Sequence, residues 1–242
     1  MKTLVAACAN VNPGGGRRRP AGAALVLVVL VVASTACSAG KPEGAASPSA
    51  SPVYTADRIC AGLFPGEGGK ALERVLGSTQ FKVRDEEDNP DVQAAAQQLE
   101  DAYRAGAAIR DMPHPRCEVA AQPGKPHVRR LIVDFVPLSR HIRKPEDFLG
   151  PDDKGVRVSV GVKHVSLGFD CVSSRAASTE EFPLRIGVQL TEQGTRKGDA
   201  VLAQDYRTIT HGAALAVAGE LGCVDDGGLP VGASGLPEPD AG

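Results

Sequence analysis

The sequence predicts an α+β domain in which an antiparallel sheet of four to six strands is covered on one face by helices. Three observations predict it. Apolar and polar residues alternate over three stretches between positions 129 and 190, which is typical of strands with one solvent-facing side. Apolar residues recur every three to four positions within 90–108 and 199–221, which is typical of helices that pack on a sheet. Gly, Pro, Ser and Ala dominate both ends of the chain, so the folded part lies in the middle.

The composition limits the core and the class of partner. Aromatic residues make up only 4% of the chain, but hydrophobic residues make up 42%, so an aliphatic core can form. Residues 1–36 hold four of the 27 basic residues and none of the 29 acidic ones, so their removal leaves a net charge of −6. Nucleic-acid binding needs a concentrated basic surface. The sequence therefore predicts no nucleic-acid partner.

Residues 1–36 have the three parts of a secretory signal peptide. Three arginines at 17–19 precede an apolar run at 21–36, and Cys37 follows. This run has 16 residues and would span about 24 Å as a helix, whereas a bilayer core is about 30 Å thick. We therefore predict a cleaved segment rather than a permanent transmembrane helix. The sequence leaves both general secretion and twin-arginine export open.

The end of this segment resembles the lipobox of bacterial lipoproteins, on the residues Ser34, Thr35, Ala36 and Cys37. In that family the cysteine receives a diacylglyceryl group and the peptide is cut just before it. The resemblance implies that Cys37 is the lipid-attachment residue and that the protein is anchored to the outer face of the cell membrane. Ser34 stands where the family usually has Leu. The alternative is an ordinary signal peptide followed by an incidental cysteine.

The rest of the chain divides into three predicted parts. Residues 37–56 form a flexible Ala/Ser/Pro spacer behind the lipidated cysteine. Residues 57–223 form the extracytoplasmic α+β domain. Residues 224–242 form a disordered tail, because Gly and Pro recur there without apolar periodicity.

The first half of the domain contains two predicted helices and a short strand. A helix at 71–76 ends at Gly77 as its C-cap, and a strand at 81–84 follows. Pro90 opens a second helix that runs to about residue 108. The apolar residues of this helix share one face: Val92, Ala96, Leu99 and Tyr103.

The second half switches to strands before a final helix. A strand is predicted at 129–138, and alternation in the stretch from 157 to 171 slips by one residue at 163–164, which predicts a bulge or a break. The clearest strand is 182–190. The helix at 199–221 carries one apolar stripe that should lie across the sheet: Leu202, Tyr206, Ile209, Ala213, Val217 and Leu221.

Besides the modified Cys37, four cysteines remain after processing: Cys60, Cys117, Cys171 and Cys223. An even number in an exported chain predicts two disulfides, and four cysteines allow three pairings. We favour Cys60–Cys117 and Cys171–Cys223, because each bond would join a terminal helical region to the body of the domain. In the chain-entropy model each would stabilise the fold by about 4 kcal/mol.

No motif points to a catalytic, cofactor-binding or metal residue, and no cofactor is predicted. The glycine-rich segment 66–70 has Phe64 and Ala71 where a phosphate-binding loop needs Gly and Ser or Thr, so it indicates a turn before a helix. Acidic residues at 85–88 and 152–153 lack the spacing of a calcium loop and indicate solvated loops. The histidines have no metal-ligand spacing: His114, His127, His141, His164 and His211.

Several short features together are similar to small secreted lipoproteins of high-GC Gram-positive bacteria. These are the lipobox-like end, the start at Ile59-Cys60, the helix at 71–74 and the end at residues 221–223. Those families have no assigned function, so the resemblance implies an exported lipoprotein and supplies no catalytic residue.

We therefore expect a binding or accessory domain for an envelope ligand or a protein partner. An envelope hydrolase with an unrecognised site and a structural or interaction lipoprotein are the alternatives. A cleft with two titratable side chains in hydrogen-bond contact would favour the hydrolase. A dry apolar pocket would favour ligand binding, and an apolar surface patch would favour a protein partner.

Overall fold

A computed structural model describes residues 52–83, 90–106, 115–121, 129–138, 155–194 and 200–239. In chain order its helices and strands are α1 (Glu67–Leu76), β1 (Phe81–Val83), α2 (Val92–Ala105), β2 (Arg116–Ala121), β3 (Arg130–Leu138), β4 (Arg157–Val160), β5 (His164–Cys171), β6 (Leu184–Gln193) and α3 (Ala203–Leu221). The six strands form one antiparallel sheet in the spatial order β1-β2-β3-β6-β5-β4. The predicted α+β fold class is confirmed.

The core lies between one face of this sheet and the helices. Strand register places Phe135, Val188, Leu167 and Val158 in one row across four strands, and each of them is at most 1% exposed. Helix α3 packs on β5 and β6, α2 packs on β3, and α1 packs on α3. The alternation of apolar side chains therefore determines which face of the sheet the helices cover.

Helix α1 begins at Glu67, four residues before the predicted start. Gly66, with φ of 55°, forms the turn that precedes it, as the glycine-rich segment predicts. Gly68 and Gly69 then belong to the helix, although glycine is a poor helix former. Both are buried, and Gly68 meets the backbone of Gly212 in α3. Only Gly69 is required by its surroundings, because a Cβ atom there would lie 2.9 Å from the carbonyl oxygen of Phe64.

Helix α2 is shorter than predicted at both ends. The Asp91 carboxylate accepts a hydrogen bond from the Ala94 amide at 2.7 Å, so Asp91 caps the helix and Pro90 lies before it. Gly106, with φ of 57°, ends it. The predicted apolar face is confirmed, because Ala96 and Leu99 are fully buried.

The strands agree with the prediction except at three places. Strand β2 was not predicted, because charged and small residues weaken its alternation. The phase slip at 163–164 is a break: β4 and β5 form a hairpin in which the Gly161 amide donates to the carbonyl of His164 at 2.8 Å. Strand β6 starts at Leu184 rather than 182, and Phe182 is 44% exposed in the preceding loop.

Helix α3 is preceded by one 3-10 turn, Ala200–Leu202, and its predicted stripe is buried from Tyr206 to Leu221. The prediction of a disordered tail is wrong for residues 224–239. Two short 3-10 helices form there, and three side chains complete the core: Leu229, Ala233 and Leu236. Burial of these few apolar groups holds a segment whose own sequence has no periodicity.

The N-terminal limit of the domain also differs from the prediction. Tyr54 pairs with Phe81 of β1 through two backbone hydrogen bonds of 2.9 and 2.8 Å, and Ala56 is buried. Residues 52–56 therefore belong to the domain rather than to the spacer. In the part of the chain that the structure describes, no helix is long and apolar enough to cross a membrane.

Candidate functional site

The four predicted disulfide cysteines form the two favoured bonds. Cys60 bonds to Cys117, which joins the turn before α1 to β2, with Cα atoms 6.1 Å apart. Cys171 bonds to Cys223, which joins the end of β5 to the segment after α3, with Cα atoms 5.0 Å apart. The predicted lipid-attachment residue, Cys37, lies outside the described residues.

A buried polar cluster lies at one end of the core. Glu192 faces the helices from β6, opposite Leu131 of β3, and its side chain is 1% exposed. The Tyr206 hydroxyl of α3 donates a hydrogen bond to its Oε2. The Arg129 guanidinium Nε lies 3.6 Å from its Oε1, which accepts no hydrogen bond from the described residues.

This cluster joins four elements. Arg129 precedes β3, and its Nη1 donates to the carbonyl of Val75 in α1 at 3.2 Å. Tyr206 is fully buried, and the Arg129 side chain is only 12% exposed. The predicted strand at 182–190 ends before Glu192, so the sequence did not predict this cluster. Continuing the alternation of β6 from Leu190 to residue 192 would have found a glutamate at a core-facing position.

An open cleft of about 690 Å³ runs along the C-terminal half of α1 and the turn after it. Its lining is mostly polar: Lys70, Glu73, Arg74, Gly77, Ser78, Thr79 and Gln80. Lys70 pairs with Glu67 at 2.8 Å. Arg74 donates two hydrogen bonds to Asp205, at 3.0 and 2.7 Å, which raise the pKa of its guanidinium. Two of the three charged side chains that line the cleft, Lys70 and Arg74, are therefore already paired.

A second ionic cluster ties the helices to the loop between β5 and β6. Arg175 donates to Glu100 of α2 at 2.8 Å and to Glu220 of α3 at 2.9 Å. Arg104 also contacts Glu100, at 2.6 Å, and the Glu100 side chain is 5% exposed. These contacts hold three elements together, and we interpret the cluster as structural.

The two histidines in the described part of the chain, His164 and His211, lie in separate places, on the β4–β5 hairpin and on α3. His211 on α3 is buried, and its Nε2 donates to the carbonyl of Pro230 at 2.7 Å, so it fastens the C-terminal segment. Burial lowers the pKa of this imidazole, and the Pro230 hydrogen bond opposes that shift. His164 is exposed in the β4–β5 hairpin and lies over Gly161. His114, His127 and His141 lie outside the described residues, as do the acidic stretches at 85–88 and 152–153.

Among the described residues no group of three or more His, Cys, Asp or Glu side chains could hold a metal ion. Glu192 and Tyr206 are two titratable side chains in hydrogen-bond contact. Both side chains are at most 1% exposed, so a substrate cannot reach them in this conformation. The cleft is open and polar rather than dry and apolar. Comparison of the chain with protein families, curated proteins and solved structures finds no match.

Proposed function

We propose that this chain is an exported lipoprotein, held on the outer face of the cell membrane through acylated Cys37. The pairing of the other cysteines carries this proposal. Two disulfides use the other four cysteines of the predicted mature chain: Cys60–Cys117 and Cys171–Cys223. Cys37 is therefore the remaining cysteine of the predicted mature chain, and its thiol is the one available for a lipid.

Two further observations support the location. Disulfides form and persist in oxidising compartments such as the cell exterior, and are rare in the cytosol of most organisms. Among the described residues the first backbone pairing is at Tyr54, so residues 37–51 are the stretch that we propose as a tether between the lipid and the domain. An extended chain covers at most about 3.3–3.6 Å per residue, which gives these fifteen residues a reach of about 50 Å.

We propose a binding or accessory role for the anchored domain, with an envelope component or a protein as the partner. The open cleft beside α1 is the surface we propose for it. It is not the dry apolar pocket typical of a small-molecule site, but the exposed Thr79 and Gln80 offer hydrogen-bonding groups there, next to the paired Lys70 and Arg74. No observation specifically favours the hydrolase, since the Glu192–Tyr206 contact is buried.

The test of the anchor is the intact mass of the protein purified from the membranes of its own host. The expected mass is that of residues 37–242 plus the lipid, less the four hydrogens lost in two disulfides. Cys37→Ala is the matched variant, and we expect it to carry no lipid. An unlipidated wild-type protein in the medium, or a Cys37→Ala protein that still carries lipid in the membrane, would contradict the proposal.

A binding role is tested separately by fractionating solubilised envelope material over the immobilised protein. Arg74→Ala and Thr79→Ala alter the cleft, and Gln193→Ala, an exposed change at the end of β6, is the control. If a component is retained by the wild type and by Gln193→Ala but not by the two cleft variants, the result supports binding at the cleft. Equal retention by all three variants contradicts it.

A further inference from the structure

The C-terminal segment, residues 224–239, contains the dipeptide Leu-Pro twice. Both leucines are buried, at 7% and 6% exposure. The carbonyl of Pro230 accepts a hydrogen bond from Nε2 of His211 at 2.7 Å. The carbonyl of Pro237 accepts one from Nη2 of Arg207 at 3.2 Å. The two donors are one helical turn apart on α3, so one side of this helix holds both parts of the segment.

Little else joins this segment to the rest of the domain. A disulfide fixes its base at Cys223, and the Val224 amide donates to the carbonyl of Val172 at 2.9 Å. Its other backbone–backbone hydrogen bonds in the described residues are local, between residues three positions apart. Asp225 and Asp226 have φ of 50° and 51°, a left-handed backbone that few non-glycine residues adopt. An element with few contacts and a strained base opens locally more easily than the core.

A second proton on the His211 imidazole has no group to stabilise it. A carbonyl oxygen only accepts hydrogen bonds, so Nε2 carries the proton and Nδ1 is the bare nitrogen of the neutral ring. His211 is 4% exposed. Within the part of the chain that the structure describes, Nδ1 has no hydrogen-bond partner and no carboxylate lies within ion-pair distance of the ring. Protonation therefore places an uncompensated charge in a buried site.

The charged groups on the surrounding elements do not compensate this charge. Arg207 is positive and shares the side of α3 on which His211 lies. Glu73 lies in the cleft beside α1. Four further acids of α2 and the C-terminal segment are exposed to solvent: Asp101, Asp225, Asp226 and Glu238. Acids on the elements that pack on α3, and on α3 itself, pair elsewhere: Glu67 with Lys70, Asp205 with Arg74, Asp170 with Arg185, Glu192 with Arg129, and Glu100 and Glu220 with Arg175.

We propose that the C-terminal segment is an acid-sensitive strap: protonation of His211 releases it from α3 while the rest of the domain stays folded. Burial lowers the pKa of this imidazole below its ordinary value of about 6.5. In the open strap His211 is exposed and binds a proton with its ordinary pKa. The contribution of His211 to the closed form is therefore complete above about pH 6.5 and is lost as the pH falls toward the lowered pKa.

Opening of the strap uncovers one side of α3. The segment packs on this helix through both of its short 3-10 helices. Ala214 and Ala218 follow His211 at helical spacing on the same side, and both are fully buried. An apolar side of α3 is therefore covered at neutral pH and exposed at acidic pH.

The test is amide hydrogen exchange of the full chain, because exchange reports the opening of separate elements. Protection is corrected for the intrinsic effect of pH on exchange. We expect the protection of residues 229–239 to fall by at least about threefold between about pH 7.5 and about pH 5, and by at most about tenfold per pH unit, as one proton requires. Protection of β6 should stay unchanged. No loss of protection in the segment, or an equal loss in β6, would overturn the proposal.

Two histidine variants assign the response to one residue. His211→Gln keeps an N–H donor for the Pro230 carbonyl but does not titrate, so the protection of its segment should not depend on pH. His164→Gln removes the exposed histidine of the β4–β5 hairpin and should respond as the wild type does. A response that survives His211→Gln, or that disappears in His164→Gln, contradicts the assignment.

Titration of the His211 imidazole by NMR tests the same point in the unmodified chain, so the result does not depend on how well a variant folds. We expect a pKa below about 6.5 and loss of protection of the segment over the same pH range. A pKa at or above that value would overturn the proposal. Neither measurement depends on whether Cys37 carries a lipid.

Discussion

Glu192 is the residue whose position is hardest to explain by burial of apolar surface. It occupies a core-facing position at the end of β6, where Leu184 to Leu190 supply apolar side chains. A buried carboxylate destabilises a fold by several kcal/mol unless other groups compensate it. Here Tyr206 donates a hydrogen bond and Arg129 supplies a positive charge. We interpret the three residues as a polar link between the sheet, α1 and α3.

Tyr206→Phe tests this interpretation. The substitution keeps the ring in the core but removes the hydroxyl donor, which leaves the Glu192 carboxylate without its hydrogen bond. Hydrogen bonds to charged groups contribute about 1.5–3 kcal/mol, so we expect the free energy of unfolding in urea to fall by about 2 kcal/mol.

Tyr103→Phe is the control, because its hydroxyl also donates one hydrogen bond, to the carbonyl of Phe182 at 2.6 Å, but in an exposed position. Water can replace that bond, so we expect a loss below about 1 kcal/mol. Equal losses of unfolding free energy in the two variants would show that the hydrogen bond to Glu192 contributes no more to stability than an exposed one.

Helix α1 contains two glycines, Gly68 and Gly69, whose surroundings differ. A Cβ atom on Gly68 would lie 3.7 Å from the Cα atom of Gly212, which is an ordinary contact. A Cβ atom on Gly69 would lie 2.9 Å from the carbonyl oxygen of Phe64 and 3.1 Å from the Cβ atom of Ala56. Alanine therefore fits at the first position and collides with the backbone at the second.

These distances predict opposite effects of the same substitution. Gly68→Ala should stabilise the protein by about 0.5–1 kcal/mol, because alanine loses less conformational entropy in a helix than glycine. Gly69→Ala should destabilise it by about 1–3 kcal/mol, the usual cost of overpacking. The measurement is thermal and urea unfolding of both variants. Changes of the same sign would contradict the packing of α1.

The two disulfides stabilise the whole domain from its two ends. Cys60–Cys117 spans 57 residues and fixes the N-terminal turn to β2. Cys171–Cys223 spans 52 residues and fixes the region after α3 to β5. The core between them has no Trp and few aromatic residues, so covalent restriction of the unfolded chain complements the burial of aliphatic side chains.

Since the two loops are nearly equal, chain entropy predicts nearly equal contributions. Replacing either cysteine pair by alanines should lower the free energy of unfolding by about 4 kcal/mol. The measurement is urea unfolding of each double variant beside the wild type. A loss below about 1 kcal/mol for either pair would show that its loop is already restricted in the unfolded state.

The sequence by itself determined the features that depend on local periodicity and composition. Alternation predicted β3 and β6, and the apolar stripe predicted α3, because one period places a whole set of side chains on one face. The even number of cysteines predicted two disulfides. The signal segment and Cys37 remain sequence-based predictions, because they lie outside the described residues.

Only the tertiary structure decided the features that depend on a few distant contacts. Leu229, Ala233 and Leu236 order the C-terminal segment through burial beside α3, and Tyr54 pairs with Phe81 across 27 positions. The Glu192 cluster likewise forms from residues of separate elements. Alternation in β6 places residue 192 on the core face, but no local pattern encodes which distant side chains meet there. Each of these contacts needs only one or two suitable side chains that the folded chain brings together.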